Sequence, residues 1–202
     1  RAFRDGLDIH SQTASQVFGV APDEVTPEMR RISKAVNFGI VYGISEFSLA
    51  EDIGVTRSEA KRYIEAYLEH YSGVRDYMKR IVEEAKRDGF VTTMFGRRRY
   101  IPEISSKNFN LRSFGERVAM NTPIQGTAAD IIKLAMIRTE QALREAGLEA
   151  KIVLQVHDEL LIETAPGEED TVKKILEEEM CNAATLKVKL ETDIHSGKDW
   201  FE

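Results

Sequence analysis

Two cations and two aromatic residues follow one another at four-residue intervals along one stretch of the sequence: Arg30, Lys34, Phe38 and Tyr42. Each four-residue step turns an α-helix by about 400°, so these side chains would form one slowly drifting stripe. Cations suit phosphates, and flat apolar rings suit a base and a sugar. The stripe therefore predicts a nucleoside triphosphate site, although a surface helix with extended cations and two core aromatics would show the same spacing.

A second candidate is a polar tip between two β-rich runs, where His157, Asp158 and Glu159 follow one another. An aspartate at a turn is usually a turn former. Two adjacent acids that end buried strands are harder to explain, because a charge near a core needs a partner or a metal. The tip is therefore either an ordinary turn or part of a metal site.

The helix that carries the stripe has clear signals at both ends. Thr26 is a suitable N-cap, Pro27 occupies the first helical position and Glu28 places an acid in the first turn. The helix should run to Tyr42 and stop at Gly43. Its positive N-terminal end would then lie on the phosphate side of the stripe.

The rest of the sequence predicts an α+β fold, with a mainly helical first part and a second part that mixes helices with an antiparallel sheet. Gly73, Pro123 and Gly126 should interrupt helices. We place the boundary between two subdomains near residue 106, which gives parts 1–106 and 107–202. The predicted elements are helices over 8–19, 56–71, 74–88, 112–121, 127–146 and 167–181, hairpins over 90–105 and 151–164, and a last strand over 187–193.

Composition excludes several classes of protein. The 202 residues carry a net charge of −6, but residues 1–117 hold 19 Lys and Arg against 17 Asp and Glu, whereas residues 118–202 hold 9 against 17. The first part could thus contact phosphates and the second could hold cations, unless both are ordinary solvated surface. No apolar run approaches the roughly 20 residues of a membrane span. Cys181 is the sole cysteine, which excludes an internal disulfide and favours a reducing, cytoplasmic setting.

The segment from Arg30 to Gly43 resembles the nucleotide-binding helix in the fingers of family A DNA polymerases, of the bacterial DNA polymerase I type. The family pattern Arg-x3-Lys-x3-Phe-x3-Tyr-Gly is matched throughout. The resemblance implies that Arg30 and Lys34 bind the phosphates of the incoming dNTP and that Phe38 packs on its sugar and base. It also places Tyr42 beside the nascent base pair, and Gly43 at a turn of the chain next to the template.

The tip resembles the metal-binding motif of the family's palm. In Gln155-Val156-His157-Asp158-Glu159, the resemblance makes Asp158 a Mg²⁺ ligand and Glu159 a supporting catalytic acid. It places His157 near the primer terminus. Two Mg²⁺ ions serve this chemistry, one at the primer 3′-hydroxyl and one at the triphosphate, and they need carboxylates from two strands.

Other segments match the family in the same order. Asp8-Ile9-His10 resembles a segment whose His contacts the triphosphate, although a single His near a helix start is commonly structural. Arg117, Asn121 and Gln125 resemble palm residues that bind primer–template DNA, where donors to minor-groove acceptors test pair geometry without reading sequence. A basic cluster, Arg97 to Arg99, is usually solvated surface at a turn, but it resembles a stretch that lies near the DNA in this family, which implies phosphate contacts.

The family's first metal motif, Asp-Tyr-Ser-Gln-x-Glu, has no counterpart in these residues. We therefore expect a chain cut just after that motif, without the thumb and the remaining palm, and inactive alone in primer extension. The resemblance makes residues 1–106 the fingers and residues 107–202 the C-terminal part of the palm. A phage-type single-subunit RNA polymerase shares the Lys and Tyr-Gly of the helix and the His-Asp of the tip, but Asn37-Phe38-Gly39 and Glu159 favour a DNA polymerase. A nucleotide- or DNA-binding module without catalysis is the third possibility.

Overall fold

The computed structural model describes residues 2–200, which fold into helices and two small antiparallel sheets and confirm the α+β prediction. Contacts divide the chain into two compact units, Arg1–Ile124 and Gln125–Glu202. Assignment of residues 1–106 and 107–202 to fingers and palm remains a prediction. The α-helices are α1 (Ile9–Phe18), α2 (Pro27–Val41), α3 (Glu46–Ile53), α4 (Arg57–His70), α5 (Ser72–Asp88), α6 (Phe109–Glu145) and α7 (Glu169–Cys181). The strands are β1 (Phe90–Thr92), β2 (Arg98–Tyr100), β3 (Lys151–Val156) and β4 (Glu159–Glu163).

The main core of the first unit lies between α2, α3 and α4. Ile32, Val36 and Ile40 recur every four residues along α2 and are buried against residues of α3 and α4 such as Leu49 and Tyr63. The predicted start of α2 is confirmed, because the side chain of Thr26 accepts a hydrogen bond from the Met29 N–H. This packing leaves the opposite face of α2 free to present other side chains.

Most helix boundaries in the first unit follow local signals. Thr56 and Glu59 form the predicted capping box at the start of α4. Gly73 was expected to end a helix, but it lies inside α5. The residue that precedes α5, at its N-cap position, is Tyr71. The sequence did not predict α3, a helix of eight residues capped by Ser45 and closed by Gly54 in the left-handed conformation. So short a helix depends on tertiary packing, here the burial of Leu49.

A smaller core of the first unit joins α5, the β1–β2 hairpin and the first turns of α6. Its buried side chains are Ala85, Val91, Ile101, Ile104 and Ala119. The predicted hairpin is confirmed over residues 90–100, with Phe90 paired to Tyr100 and Thr92 to Arg98, whereas Pro102–Ser105 form a 3₁₀ helix.

The prediction that Pro123 and Gly126 interrupt the helix was wrong, because α6 continues through both residues. A proline in a helix interior lacks a donor N–H and costs about 3 kcal/mol relative to Ala. Buried side chains anchor α6 before the proline and well beyond it, including Ala119 and Leu143. Such packing depends on distant residues and overrides the local signal.

The second unit contains the β3–β4 hairpin, α7 and the remainder of α6. Val156 pairs with Glu159 and Lys151 with Glu163, with an irregularity between Ile152 and Leu154. The core comprises Leu143, Ala150, Val172 and Leu176. The predicted strand over 187–193 was wrong, since these residues are not assigned to a strand. Within the described part of the unit, the only sheet is the β3–β4 pair, so the segment lacks the ladder of hydrogen bonds that defines a strand.

No helix among residues 2–200 has both the length and the apolar character needed to cross a membrane.

Candidate functional site

The stripe predicted on α2 lies on an exposed helix face. Arg30 and Lys34 are exposed, and Phe38 and Tyr42 retain 49% and 48% of their accessible surface. The buried series that starts at Ile32 is offset by two positions, or about 200° around the helix, so it faces the other way. This exposure excludes the alternative in which the two aromatics belong to the core. Flat rings left uncovered beside two cations form a surface suited to a ligand.

Arg30 is held by Asp8 at the start of α1. Its Nε donates to Oδ2 of Asp8 at 2.6 Å, and its Nη2 donates to Oδ1 at 3.3 Å. The same carboxylate caps α1 by accepting from the His10 N–H and the Ser11 hydroxyl. Hydrogen bonds from Arg30 and Ser11 hold the pKa of the Asp8 carboxyl far below its usual range. Asp8 therefore ties the start of α1 to the cationic end of α2.

His10 lies beside the stripe, as its predicted role requires. Its ring centroid is 5.7 Å from that of Phe38, and its Nδ1 lies 3.0 Å from the Nδ2 of Asn37. Burial lowers the pKa of His10, Asp8 raises it, and the positive charges of Arg30 and Lys34 lower it further. The first unit thus gathers His10, Arg30, Lys34 and Phe38 at one location.

Asn37 connects this location to the interior of the first unit. Its Oδ1 accepts a hydrogen bond from the Thr13 hydroxyl at 3.1 Å, and that hydroxyl lies 3.4 Å from the hydroxyl of Tyr71. Thr13 is fully buried. Buried polar groups cost free energy unless they are hydrogen-bonded, so this network fixes the side chain of Asn37 relative to His10.

Gly43 follows the C-terminal end of α2 in a conformation with φ of +70°. A Cβ at this position would lie 2.8 Å from Cε of Met120 and 3.0 Å from Cγ of Arg117. Gly43 thus allows the chain to turn and lets Arg117 approach closely. The structure brings together two residues that were predicted separately to bind DNA.

Asn121 lies one turn beyond Arg117 on α6, and its Oδ1 is buried without a hydrogen-bond partner among the described residues. An unpaired buried amide oxygen is costly, which marks Asn121 as a residue available to a ligand. Gln125, the third residue of the predicted series, is exposed and belongs to the second unit.

The hairpin tip in the second unit has an unusual backbone. His157 has φ of +52°, a positive value rare for residues other than glycine, and its carbonyl accepts from Nε2 of Gln155 at 2.7 Å. Strain of this kind is concentrated at functional sites. Asp158 and Glu159 are exposed at the tip. Among residues 2–200, no group of three or more His, Cys, Asp and Glu side chains is placed to hold a metal ion.

Sequence reasoning missed Asp8, Thr13 and Asn37 as parts of the site. Asp8 and Asn37 stand in the matched segments, but only the approach of α1 to α2 shows their contacts with Arg30 and His10. A usable signal for Thr13 was its position three residues after His10, which places both on one side of a helix.

In the basic cluster, Arg98 lies over the ring of Phe90 and Arg99 donates to Thr122.

Known proteins include relatives of this chain. The family model described as DNA polymerase family A matches residues 1–202. The chain is 54% identical over 201 residues to DNA polymerase I of Bacillus caldotenax and 55% identical over 201 residues to that of Caldicellulosiruptor bescii, and it spans 23% and 24% of those proteins.

A solved structure is also similar to this chain. The POL domain of Pol1 from M. smegmatis, in complex with DNA primer-template and dNTP, is 49% identical with a TM-score of 0.88, over 94% of this chain and 34% of that one. The family match favours a DNA polymerase over a phage-type RNA polymerase. The chain belongs to DNA polymerase family A.

Proposed function

We propose that the exposed face of α2 binds the triphosphate of an incoming dNTP during template-directed DNA synthesis by a longer polymerase that contains this chain. The observation that carries the proposal is the grouping of His10, Arg30, Lys34 and Phe38 at one location in the first unit. Three nitrogen donors suit a polyanion, and an uncovered aromatic ring suits a base or sugar. The dNTP in the complex of the M. smegmatis relative supports the same ligand.

Within this proposal the residues have different tasks. Arg30 and Lys34 neutralise the phosphates, His10 donates an N–H to them, and Phe38 packs on the sugar and base. Tyr42 borders the nascent base pair. Primer–template DNA is bound by Gly43, Arg117, Asn121, Gln125 and His157. The unpaired Oδ1 of Asn121 and the close approach of Arg117 to Gly43 support the assignments of these three residues.

The hairpin tip is the proposed metal-binding part of the palm. Asp158 and Glu159 offer hard, exposed oxygen donors of the kind that Mg²⁺ prefers, and Mg²⁺ commonly uses only one or two carboxylates together with substrate phosphates. These two acids therefore fit as part of a Mg²⁺ site, with Asp158 as the ligand and Glu159 as its support. When bound, Mg²⁺ would stabilise negative charge on the reacting phosphate.

Because the hairpin tip supplies only part of a two-metal site, we expect that these 202 residues do not extend a primer alone. Two-metal phosphoryl transfer needs carboxylates from a second motif, and the sequence has no counterpart of the family's first metal motif. The partners we propose are therefore the thumb and the rest of the palm. In their absence the chain would act as a nucleotide-binding module without turnover, and template-directed synthesis by the chain alone would contradict this.

Steady-state primer extension by the longer polymerase tests the proposed function. Lys34→Ala should raise the KM for dNTP by about ten- to a hundredfold, because a hydrogen bond to a charged group is worth about 1.5–3 kcal/mol. Lys61→Ala on α4, where Lys61 is exposed and pairs with Glu65, is the matched control and should leave KM unchanged. Equal KM values for the two variants would contradict the proposal. Preference for dNTP over rNTP separates the DNA polymerase from the RNA polymerase alternative.

A further inference from the structure

We propose that Asn37 is a positioning residue that holds His10 as the neutral tautomer with its proton on Nε2, directed for donation to the triphosphate. The inference rests on the proposed function of the α2 face and assigns a task to a residue outside the predicted site. Nδ2 of Asn37 lies 3.0 Å from Nδ1 of His10.

The chemistry of the two groups determines the direction of this hydrogen bond. An amide nitrogen can only donate, so the Nδ1 of His10 must accept and cannot carry a proton. The single proton of the neutral ring is then on Nε2. Among the described residues, Nε2 of His10 has no hydrogen-bond partner in the chain, which leaves this N–H available to a ligand.

A buried network fixes the orientation of the amide. Thr13 donates its hydroxyl proton to Oδ1 of Asn37 at 3.1 Å, so the oxygen of Thr13 is left to accept from the hydroxyl of Tyr71 at 3.4 Å. Each group from Tyr71 through Thr13 and Asn37 to His10 donates to the next. Because Thr13 is fully buried, water does not replace these bonds.

The charges around His10 are compatible with a neutral ring. Asp8 from α1, and Arg30 and Lys34 from α2, act on its titration, and burial together with the two cations lowers the pKa of His10 against the opposing effect of Asp8. In the neutral state, only the Nε2–H tautomer leaves a ring N–H that is not facing Asn37. Asn37 selects that tautomer, whereas a carboxylate at the same position would select the other.

The first test measures the tautomer directly in the wild-type 202-residue chain. Long-range ¹H–¹⁵N spectra of a ¹⁵N-histidine sample distinguish the two neutral forms, and His10→Gln identifies the signals of His10. We expect the Nε2–H form above the ring's pKa. The Nδ1–H form, or an average of the two, in the wild-type chain would overturn the inference.

The second test exchanges the donor for an acceptor. Asn37→Asp should switch His10 to the Nδ1–H form and raise its pKa, since the new carboxylate accepts from Nδ1–H and stabilises the charged ring. Affinity for a fluorescent dNTP should fall about tenfold at about pH 8.5, where the ring lacks the Nε2–H. The loss should be smaller near pH 5.5, where a protonated ring donates from both nitrogens. An equal loss at both pH values would indicate a merely structural role and overturn the proposal.

A matched pair at Thr13 tests the network. Thr13→Val removes the hydroxyl that holds the amide and should give a mixture of tautomers, whereas Thr13→Ser should keep the Nε2–H form. Identical spectra for the two variants would contradict the network. These spectra need no nucleotide, so they separate the two proposals: absence of dNTP binding by the wild-type chain contradicts the proposed function, while the spectra still test the control of His10 by Asn37.

Discussion

The carboxylate of Asp8 accepts two hydrogen bonds from the guanidinium of Arg30, at 2.6 and 3.3 Å, while it caps the helix that carries His10. One side chain thus joins α1 to α2 at the end where the cations of the stripe lie. Arg30 is held in place before any ligand arrives, which reduces the conformational entropy that binding must remove. Asp8 therefore organises the phosphate-binding end of the proposed site.

Asp8→Asn should reduce the stability of the chain by about 0.5 kcal/mol at neutral pH, a small value because both partners are partly exposed and Asn also caps helices. The folded-state pKa of Asp8 is lowered, so its stabilising contribution is full above the unfolded value of about 3.9 and declines as the pH falls below it. Urea unfolding of wild type and variant should therefore differ at pH 7 and converge in acid. The control is Asp52→Asn. This role of Asp8 would be contradicted if the stability difference between wild type and Asp8→Asn persisted unchanged at low pH, or if Asp52→Asn showed the same difference.

Gly43→Ala should impair DNA binding more than stability. Its positive φ of +70° costs an alanine about 1–2 kcal/mol, and the same cost applies to Gly54→Ala, where φ is +72° and nothing lies within 4 Å of the added Cβ. At Gly43 the new methyl group also displaces Arg117, whose Cγ would lie 3.0 Å away. Primer–template affinity of the longer polymerase should fall in the Gly43 variant. An equal fall in the Gly54 variant would show that strain alone is responsible.

Gly115→Ala should destabilise the first unit by about 1–3 kcal/mol or more, because a Cβ there would lie 2.7 Å from the backbone nitrogen of Ile104, which cannot rotate away. Gly73→Ala, in an open helical position, should instead raise the free energy of unfolding by about 0.4–1 kcal/mol. Denaturant midpoints measure both values. Equal midpoints would contradict the close approach of α6 to Ile104.

Sequence signals predicted the parts of the fold that depend on neighbouring residues. The Thr26 and Thr56 caps and the left-handed Gly19 bound their helices as expected. The errors concern features that depend on distant partners. Pro123 is tolerated because α6 is packed on both sides of it, and residues 187–193 are not a strand because a strand needs a neighbour to pair with.

In the candidate site too, local patterns predicted some features, whereas contacts between distant residues could not be predicted. A helical period alone placed Arg30, Lys34 and Phe38 on one face, and the structure has them there. The contacts of Asn37 with His10 and Thr13 join α1 to α2 across 27 and 24 residues, so no local pattern could reveal them.

Asp158→Asn should lower kcat of primer extension by at least about a hundredfold in the longer polymerase, because a metal ligand is lost where even its supporting groups are worth about 10–100-fold. Affinity for dNTP at the α2 face should change little. The matched control is Asp170→Asn in the first turn of α7, which should retain activity. A normal kcat for Asp158→Asn would contradict the assignment of the hairpin tip to the proposed metal site.

The most direct test of the central claim is an equilibrium titration of the 202-residue chain with a fluorescent dNTP. The α2 face should bind it weakly, and Lys34→Ala should weaken binding by about ten- to a hundredfold through loss of a charge-assisted hydrogen bond. Lys61→Ala should bind like the wild type. Unchanged affinity in Lys34→Ala would contradict the assignment of the α2 face to the triphosphate.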